Sequence, residues 1–262
     1  MSAGPITDRD TIRKMVDGHP LWYHRIELSP GIVTPGVHLS PEVLADLDGL
    51  GLPADASGLR VLDIGCRDGF FAFEMERRGA EVIGVDYAEP EITGFGVASR
   101  VLGSRVKYLV ENVYNLSPEV HGVFDVVLFL DVIYHLRNPL LAMDRVRGVT
   151  RTSGQLFIRS QTATDPAVCA MSVPLWQFFP RDALSGDATS KWGPNLEGLK
   201  RLVEESRFEV LKEHVTGGRA SLCARAVDDP DLDFYRRLDT EVGFRGKAVN
   251  TPEKIIPADG WA

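Results

Sequence analysis

One stretch constrains this chain more than any other: Val61-Leu62-Asp63-Ile64-Gly65-Cys66-Arg67-Asp68-Gly69-Phe70-Phe71, followed one helix later by Val82-Ile83-Gly84-Val85-Asp86. An apolar run ending in glycines, a helical spacing and a second apolar run ending in a carboxylate spell strand, tight turn, helix and parallel strand. Ligands of such a βαβ unit sit beyond the carboxyl ends of the strands. There Gly65 and Gly69 let the backbone turn and approach a ligand closely, and Asp86 can accept hydrogen bonds from both hydroxyls of a ribose.

The same alternation continues downstream. Apolar runs recur at 106–110, 126–130 and 156–160 with helix-like segments between them, which predicts helices on both faces of a parallel sheet. In the helix after Gly69, Phe70, Phe73 and Arg77 share a face, Phe71 lies beside Met75, Glu74 can pair with Arg78, and Gly79 supplies a stop. A later helix is capped by Asn138, started by Pro139 and ended at Gly148, with Leu140, Leu141 and Val146 toward the sheet. Asn195 caps another over 196–205, and strands at 208–214 and 220–227 join through Gly217-Gly218 as an antiparallel hairpin. The expected fold is therefore α/β and doubly wound: a mostly parallel seven-stranded sheet with an antiparallel C-terminal hairpin. Its domain is assigned to 59–227, preceded by a cap or lid segment, 1–58, and followed by an appendage, 228–262. Within the domain, 161–194 breaks the alternation with scattered prolines among Trp176, Phe178, Phe179 and Trp192, as a substrate-covering insertion does.

Bulk properties narrow the class. The formal net charge is -8, so no global field draws in a polyanion, and nucleic acid is disfavoured as a partner. Cys66, Cys169 and Cys223 are odd in number and widely spaced, which fits reduced thiols in the cytoplasm rather than a disulfide framework or a zinc site. No apolar run approaches membrane-spanning length, and the charged N-terminus has no signal-like apolar region. A small-molecule acceptor is the expected partner, and homo-oligomerisation is left open.

Glycine spacing selects the nucleoside. A dinucleotide fingerprint is G-x-G-x-x-G, whereas Arg67 holds the middle position here and the spacing is G-x-x-x-G. S-Adenosyl-L-methionine lacks phosphate and asks instead for groups facing an amino acid, a ribose and an uncharged adenine. Asp63, Asp86, and Asn112 with the Val113 amide match those needs in chain order. Asp63-Ile64-Gly65, Asp68-Gly69-Phe70-Phe71, Glu76-Arg77-Arg78-Gly79-Ala80, Val85-Asp86 and Val132-Ile133-Tyr134-His135-Leu136 together resemble the class I S-adenosylmethionine-dependent methyltransferases. Trp22-Tyr23-His24-Arg25-Ile26-Glu27-Leu28, Thr34-Pro35-Gly36 and Trp192-Gly193-Pro194-Asn195 are similar to a branch related to the tRNA wobble-uridine carboxymethyltransferases. The class resemblance implies that Asp63, Gly65, Gly69, Asp86, Asn112, Val113 and Leu130 line the cofactor. The branch resemblance adds Tyr134 near the sulfonium.

Methyl transfer from a sulfonium is an in-line displacement, so the protein chiefly aligns the nucleophile and removes a proton. His135, after the fourth strand, is the favoured general base, and His24 competes for the role. Tyr23 and Trp192 are candidate acceptor contacts. Asp131 could bind a divalent metal, but a single carboxylate makes no metal site, none is predicted, and solvent exposure or helix-end capping is the expected role. The leading reading is O-methylation of a small hydroxylated acceptor, a sugar or natural product. The alternatives are wobble-uridine modification of tRNA and a cofactor-binding regulator without turnover.

Overall fold

The computed structural model describes residues 6–38, 40–184 and 186–228. Its elements run α1 (Arg9–Asp17), β1 (Glu27–Ser29), β2 (Ile32–Val33), α2 (Ser40–Leu50), β3 (Arg60–Ile64), α3 (Phe70–Arg77), β4 (Glu81–Asp86), α4 (Pro90–Thr93) and α5 (Phe95–Leu102). They continue with β5 (Lys107–Val110), α6 (Pro118–His121), β6 (Phe124–Leu130), α7 (Pro139–Val149), β7 (Thr150–Gln161), α8 (Pro166–Cys169), β8 (Trp176–Phe178), β9 (Trp192–Pro194), α9 (Leu196–Glu205), β10 (Phe208–Thr216) and β11 (Arg219–Ala226). Seven strands form the main sheet in the order β10-β11-β7-β6-β3-β4-β5. The five from β7 to β5 are mutually parallel, and β11 pairs antiparallel with both β7 and β10. The doubly wound sheet with its terminal hairpin is as expected.

Alternation within the strands builds two cores. Val61 of β3 and Val126 and Leu128 of β6 point into a layer shared with α1, α2, α3 and α5, whereas Leu62, Ile64, Val127 and Phe129 point into one shared with α7 and α9. Strand order reverses on either side of β3, whose neighbours are β4 and β6, and that leaves a crevice above its carboxyl end.

Local signals act as expected in most elements. Asn138 and Asn195 cap α7 and α9 through side-chain oxygens, and Glu74 pairs with Arg78 on α3. Gly217 and Gly218 both take positive φ, as a two-residue turn between twisted strands requires. Gly148 lies at the end of α7, one residue before Val149, where the chain runs straight into β7 and the Thr150 hydroxyl donates to the Val146 carbonyl at 2.7 Å. One local expectation needs correction. Leu140 does not face the sheet: it is exposed, while Ala142, Met143, Val146 and Val149 are buried.

Residues 161–194 are partly ordered into regular structure by the β8–β9 pair. The N-terminal segment packs Ile12, Val16, Trp22, Ile26 and Leu28 into the α3-side core and belongs to the same unit as the sheet, which extends to Val227. The segment assigned as an appendage lies, beyond Asp228, outside the described residues. Among the described residues no helix is long and apolar enough to cross a membrane.

Candidate active site

The floor of the crevice is the turn from β3 to α3. Gly65 and Gly69 have φ of 78° and 93°, and a Cβ at either would lie 2.3 Å from Val132 or 2.5 Å from Phe73. Only glycine fits there. Asp86 closes the turn by accepting from the Arg67 amide at 3.0 Å and the Ala88 amide at 3.1 Å. Arg67, in the position of the dinucleotide motif's middle glycine, holds φ at 50°. Asp63 is buried beneath the turn, and one carboxylate oxygen, Oδ2, has no hydrogen-bond partner. Burial, reinforced by the neighbouring Asp86 carboxylate, raises its pKa to about 7. An unsatisfied buried carboxylate beside a glycine cradle suits a ligand that brings an ammonium group, as the amino acid of S-adenosylmethionine does.

The other predicted cofactor contacts stand around this floor. Leu130 ends β6 and is buried, and Val113 is buried where the chain leaves β5. Asn112 is exposed, its side chain accepting from the Tyr114 amide at 3.0 Å. Tyr134 is buried with its ring beneath the Arg219 guanidinium, 5.4 Å away.

His135 and His24 are both tethered through Nδ1, to different partners. His135 Nδ1 lies 2.9 Å from the Thr189 hydroxyl, which donates to Asp187 at 2.6 Å. The hydroxyl proton is thus committed to Asp187, so the imidazole donates from Nδ1 and keeps its lone pair on Nε2. Burial lowers the His135 pKa, holding the ring neutral near pH 7. His24 is buried, and its Nδ1 bonds one oxygen of the wholly buried Asp68. The other oxygen of Asp68 accepts from the backbone amides of Tyr23 and His24, each at 2.8 Å. Asp68 thereby clamps the N-terminal segment onto the glycine turn. Tyr23 stacks on His38, and Trp192 donates to the Leu136 carbonyl at 3.0 Å and lines an apolar groove of about 400 Å³ with Leu140 and Trp176. The structure thus sets Tyr23 with Tyr134 and Asp131, and Trp192 with α7 and α9.

Asp131 departs from expectation. It is neither open to solvent nor a helix cap: at φ 57° its side chain turns inward, where it ion-pairs with Arg159 and lies 3.3 Å from Arg219 Nε and 3.9 Å from His38 Nε2. Two guanidiniums face the carboxylate, whose Oδ2 accepts from Arg159 while Oδ1 accepts no hydrogen bond, and among the described residues no group of three or more His, Cys, Asp or Glu could hold a metal ion. Sequence reasoning missed His38, Arg159 and Arg219 because they come from distant segments, Arg159 and Arg219 brought together by strand pairing and His38 by the N-terminal segment. Asp68 stood inside a recognised motif and was detectable as an acid where the turn needs no carboxylate.

A parallel crevice with a glycine floor, an aspartate ending the next strand and an unsatisfied buried carboxylate is the class I methyltransferase architecture. The methyltransferase-domain family matches residues 38–213, and the chain belongs to it. The ubiquinone biosynthesis O-methyltransferase of Xanthomonas euvesicatoria pv. vesicatoria is 31% identical over 119 residues, 45% of this chain and 49% of that protein. The chain spans about half the length of the curated relatives it matches. In fold it is similar to the N-terminal domain of EvdMO1, solved with S-adenosylhomocysteine and D-fucose, at a TM-score of 0.59 and 18% identity over 86% of this chain and 98% of that one. It is likewise similar to the 1,6-didemethyltoxoflavin-N1-methyltransferase of Burkholderia thailandensis, at a TM-score of 0.54 and 17% identity over 86% and 93%.

Proposed function

We propose that this protein is an S-adenosylmethionine-dependent methyltransferase that O-methylates a small hydroxylated acceptor. The observation that carries the reading is the unpartnered, buried Asp63 oxygen beneath the Gly65 turn, with Asp86 one strand away. Asp63 would hold the amino group of the cofactor, Asp86 the ribose, and Asn112, Val113 and Leu130 the adenine side. The bound cofactor supplies a methyl group already activated on a sulfonium. Tyr134 would pack near that centre, and the residues around it exclude water.

His135 takes the acceptor proton in this reading, because its Nδ1 is fixed by Thr189 and Asp187 while its Nε2 remains a lone pair on a partly exposed ring. His24 is the second reading for the base, supported by its bond to Asp68, which orients it in the same manner. O-methylation by the ubiquinone-pathway relative and the sugar beside EvdMO1 support a hydroxylated acceptor. The proposed setting is the cytoplasm, with the N-terminal segment and 161–194 covering the acceptor.

The test incubates the protein with methyl-labelled S-adenosylmethionine and, separately, sugars, catechols and bulk tRNA. Label in a sugar or catechol is expected. Label confined to tRNA would favour wobble-uridine modification, and tight cofactor binding with no transfer would favour a regulator. With the acceptor in hand, His135→Gln should lower kcat about a hundredfold or more while cofactor affinity is kept. An equal loss at His24→Gln alone would move the base to His24.

A further inference from the structure

The acceptor side of the crevice carries more positive charge than its structural role uses. The charges acting on Tyr23 are first the Asp131 carboxylate and then three guanidiniums, those of Arg219, Arg159 and Arg67. The chain as a whole is acidic, at -8, so this local excess runs against its overall balance. Asp131 is shared by Arg159 and Arg219 and can neutralise only one of them. The nearby Asp68 is consumed by His24 and two backbone amides.

Each arginine keeps bonding capacity in reserve. Arg159 is buried, and its Nε has no hydrogen-bond partner. Arg219 faces Asp131 with Nε in an ion pair at 3.3 Å that is not a hydrogen bond, donates one terminal nitrogen to Gln161, and lies over the Tyr134 ring. The Arg67 guanidinium lies 5.8 Å from the Tyr23 ring centroid and makes no hydrogen bond or ion pair with any described residue. Arg67 stands where the nucleotide-binding pattern has glycine and takes φ of 50°, so a backbone conformation that disfavours side chains carries a long cation at the mouth of the site. Its contact with the face of the Tyr23 ring leaves the N–H donors of the guanidinium available. Two tyrosine hydroxyls, of Tyr23 and Tyr134, lie in the same group and remain protonated because burial raises both. They are hydrogen-bond donors beside the cations.

Three guanidiniums and two tyrosine hydroxyls gather around one carboxylate whose Oδ1 is the single unpartnered buried carboxylate oxygen there among the described residues, and this surplus of donors and positive charge calls for an anion. We propose that the acceptor bears an anionic substituent, a carboxylate or a phosphate, which Arg67 and Arg219 receive between Tyr23 and Tyr134. This rests on reading that side of the crevice as the acceptor site. It makes the substrate a hydroxylated acid or phosphorylated hydroxyl compound rather than a neutral sugar or phenol. The methyl-accepting hydroxyl is a separate group of the same molecule.

The test reads binding without turnover. The full chain, loaded with S-adenosylhomocysteine, is titrated calorimetrically with inorganic phosphate and, separately, with benzoate. Saturable binding of at least one is expected, weakened about tenfold or more by Arg219→Gln and partly restored by Arg219→Lys. The ligand that binds tells a phosphate from a carboxylate acceptor. Affinity for S-adenosylhomocysteine reports whether Arg219→Gln still folds its site, and Arg67→Gly, which introduces the usual glycine, provides a second reading if it does not. Binding of neither anion, or binding that both variants keep in full, overturns the proposal. In the labelled-methyl assay, label on neutral acceptors in preference to their acidic counterparts would also overturn it, leaving the methyl-transfer reading intact. No label on any acceptor would count against methyl transfer and leave the calorimetric result standing.

Discussion

Replacing Asp63 with asparagine separates what the site does for the ligand from what it does to the fold. The folded-state pKa of Asp63 is about 7 against an ordinary value of 3.8. Between those limits the folded chain holds a proton that the unfolded chain has released. Unfolding therefore sheds a proton, and stability that is present below pH 4 falls as pH rises toward 7. Each pH unit in the window is worth about 1.4 kcal/mol, so raising the pH from 5 to 8 should remove about 3 kcal/mol from the ligand-free protein. For a chain of this length that is a fall in Tm of roughly 6 to 12 °C. His38, pushed down to about 4, works in the opposite direction between that value and 6.5, so the wild-type profile alone mixes the two. In Asp63→Asn the His38 contribution remains and the Asp63 contribution disappears. Melting curves of both proteins at pH 5 and 8, without cofactor, should show the variant gaining on the wild type by about 3 kcal/mol at the higher pH. The same variant should bind S-adenosylhomocysteine at least tenfold more weakly, because a neutral amide replaces the partner of an ammonium. Parallel pH profiles for the two proteins would refute the argument that Asp63 is an uncompensated buried acid.

Three further outcomes follow from the same geometry. Asp86→Ala removes the acceptor of the Arg67 and Ala88 amides and, on the proposed reading, the carboxylate for the ribose, and calorimetry should show cofactor affinity reduced a hundredfold or more, by about 3 kcal/mol. Gly69→Ala puts a methyl group against Phe73 and Phe95 at positive φ, and chemical denaturation should report a loss of about 2 to 3 kcal/mol. Asp68→Ala strands the Tyr23 and His24 amides and the His24 ring, so stability should drop by about 3 kcal/mol, with protease sensitivity rising first in the N-terminal segment.

Much of the fold is local and was readable along the chain. Alternation in 60–64 and 124–130, asparagine caps at 138 and 195 and the Gly217-Gly218 turn each act through neighbours a few residues away. Which face of a helix is buried depends on more distant neighbours. Leu140 fits an inward stripe, but the inward face belongs to Ala142, Met143 and Val146, which leaves Leu140 to the groove it shares with Trp176 and Trp192.

The division is sharpest at the site. The sequence by itself determined the proposed cofactor side, because Asp63, Gly65, Gly69 and Asp86 lie on one βαβ unit whose geometry follows from local backbone preferences. The proposed acceptor side was decided only by tertiary structure. Register places Arg219 opposite Gln161 and Arg159 beside Leu130, and the N-terminal segment brings Tyr23 and His38 to the same place from far along the chain. Charges that no spacing rule connects become neighbours there, and an aspartate that read as a surface residue becomes the shared partner of two arginines.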